Sequence, residues 1–143
     1  MKNIKYFIEF IFIISLLIIF KIIGYKNASN LGEKIGTLIG PLFRSKEKII
    51  NNLRDSKIGI NDQERENIIK KMWGNYGRIL AEYPHLINFK KNKLNNYINV
   101  KGIEYLDELK KNKKKVVFIS GHFNNFEIMA MQIENLGIDV AAI

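Results

Sequence analysis

Residues 116–127 read VVFISGHFNNFE, and the 10 residues after them read IMAMQIENLG. Val116–Ile119 is an unbroken β-branched and aromatic run, the pattern of a short strand buried on both faces. Gly121 interrupts it, and Asn124 and Asn125 are natural N-caps for a helix. That helix is expected over Asn124–Leu136, with Ile128, Met131 and Leu136 available for burial and Gly137 as its terminator. His122 then falls in the turn and Glu127 in the first helical turn. On one continuous helix, residues five apart differ by roughly 140° of rotation and point apart. The two side chains can therefore meet only across such a junction.

The period upstream and downstream extends the same alternation. NYINV, Asn96–Val100, fits a short strand. Gly102–Lys111 places Ile103, Leu106 and Leu109 on one helical face, and Lys111–Lys115 reads as a solvated turn. IDVAAI, from Ile138 to Ile143, starts another strand. Strand, helix, strand, helix, strand implies an α/β fold built on a parallel or mixed sheet.

The amino-terminal half is helical throughout by its spacing. Asn61 and Glu64 form a capping-box start, Ile68, Ile69, Met72, Trp73, Tyr76, Ile79, Leu80 and Tyr83 recur at helical intervals, and Pro84 ends the run. Gly74 and Gly77 weaken that helix, which hints at close approach by another element. A shorter helix is expected over Ser45–Arg54, followed by a connection at Asp55–Gly59. Before it, Leu31, Ile35, Leu38, Ile39, Leu42 and Phe43 share a face that suits either core packing or a membrane surface. Gly32, Gly36, Gly40 and Pro41 would kink or end a helix there. His85 has a Lys, not a carboxylate, five residues on, and reads as a surface or capping residue.

Tyr6–Ile23 reads YFIEFIFIISLLIIFKII, long enough to span a bilayer, with Glu9 and Lys21 near its ends. The small residues of a signal-peptide cleavage site are not in place, so residues 1–24 read as an uncleaved anchor. Lys21, Lys26, Lys34, Arg44, Lys46 and Lys48 make the following flank the more basic one, which places the body on the cytoplasmic side. Absence of Cys excludes a disulfide framework and thiolate chemistry. The formal charge of +9 favours acidic partners such as phospholipid, nucleic acid or an acidic protein. Nucleic acid is disfavoured, because the basic stretches are Lys-rich, carry no recognised motif and follow an anchor. No phosphate-binding loop, dinucleotide fingerprint, metal-binding His pair or nucleophile elbow is present.

Two readings of His122 and Glu127 stand on residues alone. Glu127 can orient the imidazole while its other nitrogen takes a proton from a hydroxyl, with N–H groups at the helix start holding an anion. Equally, His122 is a turn residue and Glu127 a favourable first-turn carboxylate.

The hydrophobic amino terminus, the block WGNYGRILAEYPHL, the segment NVKGIEYLDELKKNKKKVVFISGH and HFNNFE with its following helix resemble the bacterial lipid A biosynthesis late acyltransferases, the lauroyl or myristoyl acyltransferases. The resemblance covers essentially all of this chain and about the first half of the family's usual length. A His followed by four residues and an acid is shared with glycerolipid acyltransferases generally; GRILAEYPHL and the Glu narrow it to the lipid A branch. The family more often has Gly at Asn124 and Trp at Phe126.

The resemblance implies catalytic roles for His122 and Glu127, transfer from acyl-acyl carrier protein to a hydroxyl of a lipid A precursor, and no metal or cofactor. It implies an inner-membrane enzyme whose residues 25–143 are the amino-terminal part of an acyltransferase domain of glycerolipid-acyltransferase-like fold. Later family motifs are missing, which suits a truncated gene product, the first piece of a split gene or an excerpt; transfer activity is expected only where a carboxy-terminal partner polypeptide supplies the rest. The Lys110–Lys115 cluster suits carrier docking, phosphate binding or a solvated turn equally well. A glycerolipid acyltransferase and a non-enzymatic, membrane-anchored basic fragment are the alternatives.

Overall fold

Glycine recurs at Gly32, Gly36 and Gly40, every fourth residue and therefore along one face of a helix. In the computed structural model, which describes residues 2–56, 59–112 and 115–141, this face lies directly against a second helix. The chain divides into two units, Met1–Pro84 and His85–Ile143.

The first unit contains α1 (Lys2–Ile23), α2 (Tyr25–Ile39), α3 (Lys46–Asp55) and α4 (Asp62–Glu82). Gly24, at φ 80, joins α1 to α2 in a conformation that residues with a Cβ rarely adopt. The glycines expected to kink α2 leave it continuous to Ile39, because tertiary contact outweighs their weak helix propensity. A Cβ on Gly32 would stand 2.6 Å from the Ala81 Cβ, and one on Gly36 would stand 2.8 Å from the Gly77 Cα. The close approach expected at Gly74 and Gly77 is thus present, and its partner is α2.

Beside the glycines a polar chain joins the same two helices, buried at Ser29 and Glu82 and partly exposed at Arg78 and Glu33. The Ser29 hydroxyl donates to Glu82 Oε1 at 2.7 Å, and Arg78 donates to the Ser29 hydroxyl at 3.0 Å and pairs with Glu33. Glu82 is only 7% exposed, so these partners offset the cost of burying its carboxylate. Phe20 from α1 completes the core against Ala28 and Ala81, and Lys21 donates to the Pro84 carbonyl at 2.5 Å.

Local signals place the helix ends. The Asn61 side chain accepts from the Glu64 N–H at 2.9 Å while Glu64 accepts from the Asn61 N–H at 2.8 Å, the reciprocal box read from sequence. Pro41 sits in a 3-10 turn, Gly40–Leu42, that closes α2. Helix α3 is fixed to α4 by Lys46 and Glu66 at 2.5 Å over the buried Ile49 and Ile69.

The second unit corrects the α/β expectation. Helix makes up 74% of the structure, and no strand forms among the described residues. Its helices are α5 (Leu86–Lys90), α6 (Ile103–Asn112) and α7 (Glu127–Asn135), with a 3-10 turn at Asn95–Tyr97 where a strand was expected. Val116–Ser120 is unpaired coil rather than a buried strand, with Val117 84% and Ile119 94% exposed. The physical reason is that a strand exists only through a hydrogen-bonded neighbour, and the described residues place none beside this run. Lys57, Ile58, Lys113, Lys114, Ala142 and Ile143, parts of the expected connection, Lys turn and last strand, lie outside the described residues. His85 is buried at 3% exposure, not at the surface, and occupies the N-cap position of α5.

Gly77→Ala should lower stability by about 1–3 kcal/mol despite alanine's better helix propensity, because the new methyl meets the α2 backbone. Gly59→Ala, at a position with open space, should change stability little. Denaturant unfolding of the detergent-solubilised chain, followed by circular dichroism, measures both.

Candidate active site

The junction before α7 is shaped by Gly121 and Asn124. The Phe123 N–H bonds back to the Gly121 carbonyl at 2.8 Å, and the Phe123 ring closes over Gly121 so tightly that a Cβ there would lie 2.5 Å from it. Asn124 then takes φ 48, the left-handed region that Gly and Asn enter most readily. The Gly that the family more often carries and the Asn found here therefore satisfy the same backbone requirement.

That turn moves the cap. Neither Asn124 nor Asn125 serves as N-cap of α7; Phe126 does, with no side-chain cap bond. The first N–H groups turn inward, Ile128 to the Asn125 carbonyl at 3.2 Å and Met129 to the Phe126 carbonyl at 3.1 Å. Two of the donors expected to face an anion are thereby occupied within the chain.

His122 is exposed in the turn, and Glu127 is the first residue of α7 and half-buried. The structure thus brings them to the two sides of one loop-to-helix junction, as their spacing requires. The His122 ring meets the Phe126 ring edge-on, with centroids 4.4 Å apart and planes at 76°. An aromatic at Phe126 limits the swing of the imidazole without using either ring nitrogen, a positioning contact that the sequence reading did not anticipate.

Helix α7 is held from its other end. Ile133 and Phe89 are buried, Asn135 donates to the Phe89 carbonyl at 3.4 Å and to Asn92 Oδ1 at 3.0 Å, and Lys90 pairs with Glu134 at 3.5 Å. Lys110 donates to the Leu136 carbonyl at 2.6 Å, a cation at a helix C-terminus. One member of the Lys110–Lys115 cluster therefore has a structural partner, on α7 itself.

The sequence model of the bacterial lipid A biosynthesis acyltransferases matches the chain over residues 1–143. The chain belongs to this family. No curated protein and no solved structure matches it. Membership in the lipid A biosynthesis acyltransferases indicates acyl transfer as the reaction class and a lipid A-type molecule as acceptor. Helix α1 adds a segment of 22 residues, long and apolar enough to cross a membrane, with 6% of its most apolar window buried.

Asn124→Val should destabilise the turn by about 1–2 kcal/mol, since a β-branched residue is strained at positive φ, whereas Asn124→Gly should be tolerated. Amide hydrogen exchange at the first turn of α7, compared across the two variants, reads the difference.

Proposed function

We propose that the chain transfers an acyl group from acyl-acyl carrier protein to a hydroxyl of a lipid A precursor, or of an acyl chain already on it, at the cytoplasmic face of the inner membrane. The family match along the whole chain carries this reading. The exposed position of His122 in the turn that leads into Glu127 and α7 supports its assignment to the chemistry.

In this reading His122 is the general base. One ring nitrogen takes the proton of the acceptor hydroxyl as its oxygen attacks the thioester carbon; the new C–O bond forms, the C–S bond breaks, and the proton passes from the imidazolium to the departing thiolate. Glu127 orients the ring through the other nitrogen and stabilises its protonated form, and Phe126 restricts its rotation. Both substrates suit a chain of charge +9, because the carrier is acidic and the acceptor phosphorylated.

Helix α1 supplies the location. At 1.5 Å per residue it spans about 33 Å, enough for the hydrocarbon core. Its surface exposes Phe7, Phe10, Ile11, Phe12 and Ile18, a contiguous apolar area larger than water-facing proteins ordinarily carry. Glu9, the one acid in the segment, is accompanied by Lys5 at 3.7 Å. The basic residues that follow favour a body on the cytoplasmic side, where the carrier is found.

Membranes containing the chain together with a carboxy-terminal polypeptide that carries the remaining family motifs, in a background lacking the endogenous enzyme, should transfer acyl groups from acyl-acyl carrier protein to a lipid A precursor. His122→Ala should reduce the rate by about 100-fold or more, and Glu127→Gln should lower kcat with little change in KM. Transfer that survives His122→Ala would remove His122 from the reaction.

A further inference from the structure

Two cavities of the first unit meet at Trp73, the only tryptophan in the chain. The first, about 140 Å³, is almost wholly apolar: it is lined by Gly32, Gly36 and Gly77 beside the α2–α4 contact and by Leu16 and Phe20 of α1 with Phe43. The second, about 360 Å³, is bordered by Arg44, Lys46, Lys70 and Glu66. Lys46 is paired with Glu66, whereas neither Arg44 nor Lys70 has a carboxylate partner among the described residues. Trp73 Nε1 is buried and has no hydrogen-bond acceptor among the described residues.

We propose that these adjoining cavities, one on each side of Trp73, bind one anionic phospholipid of the membrane that holds α1. A short stretch of one acyl chain enters the apolar cavity, and the phosphate sits between Arg44 and Lys70. The order of chemistries carries the assignment. Leu16 and Phe20 belong to the last turns of the apolar segment and Lys21 marks its end, so the apolar cavity opens where acyl chains meet headgroups. Beyond Trp73 the lining turns cationic, as a phosphate requires. A free phosphate would explain only the second cavity, and a neutral apolar ligand only the first. The inference rests on the membrane reading of α1 and is independent of acyl transfer.

The single tryptophan makes the site readable in the intact chain. The chain is reconstituted into vesicles of phosphatidylcholine and phosphatidylglycerol in which one lipid at a time carries bromine on its acyl chains, and quenching of Trp73 emission is measured. Bromine on the anionic lipid should quench several-fold more, at equal mole fraction, than bromine on phosphatidylcholine. Arg44→Gln with Lys70→Gln should remove most of that preference, bringing quenching by the two lipids to within about twofold of each other. Both positions are exposed, so the fold should survive, and retained quenching by phosphatidylcholine would show it. Lys48→Gln with Lys71→Gln, an equal charge change at exposed positions outside both cavities, should leave the preference intact.

Equal quenching by the two lipids in the unaltered chain would overturn the proposal, as would an equal loss of preference in the control variant. Loss of the preference on adding millimolar inorganic phosphate would make this a free-anion site and overturn the lipid assignment. Release of the chain by alkaline carbonate, with no quenching by either lipid, would defeat the membrane reading along with the site. Equal quenching in a chain that resists the wash would defeat the site alone.

Discussion

The contact between the backbones of α2 and α4 is the constraint on which the first unit depends. Gly32, Gly36 and Gly77 permit it by having no side chain, and each would collide with backbone atoms of the facing helix if it had one. Small residues spaced by four gain packing where two helices touch along their backbones, and this gain does not require water to drive it. It therefore suits a unit whose first helix has the length and apolarity of a membrane span. The same closeness aligns Ser29 with Glu82 and Arg78 with Glu33, so the polar chain exists only because the glycines let the helices meet. Removing one partner from that chain would leave a buried polar group unsatisfied, which couples the two features.

What the sequence made legible was information held within a few residues. The Asn61–Glu64 box, the stop at Pro84 and the terminator at Gly137, which has φ 82, each depend on local geometry and each appears where expected. The weak helix formers at Gly74 and Gly77 even pointed to a close neighbour, though not to which one. The strands were illegible for the opposite reason. VVFIS has the composition of a buried strand, but a strand is defined by a partner distant in sequence, and composition says nothing of whether that partner is present. His85 failed in the same manner: a lone His judged by its sequence neighbours looks exposed, whereas its burial is a tertiary fact. The Ser29–Glu82 bond joins residues 53 apart, beyond any spacing rule.

At the candidate site the outcome is intermediate. The requirement that His122 and Glu127 straddle a junction is a consequence of helix geometry, and the structure meets it. The position of the cap is not, because Asn124 had two local options: to accept hydrogen bonds as an N-cap or to adopt the left-handed conformation that Asn tolerates. Closure of the Phe123 ring over Gly121 accompanies the second, and the cap passes to Phe126. That choice also brings the Phe126 ring against the imidazole, so a backbone requirement at one residue sets the freedom of a side chain two residues earlier.

The placement of α7 follows from contacts at its far end. Ile133, Glu134 and Asn135 tie it to the α5 region, and Lys110 of α6 reaches the carbonyl just past its C-terminus. The other end of the helix begins at the turn that Gly121 and Asn124 shape. A scaffold settled by burial and ion pairs at one end, and a fixed backbone turn at the other, hold Glu127 at the junction that follows His122, the kind of support a side chain needs where it must meet a substrate.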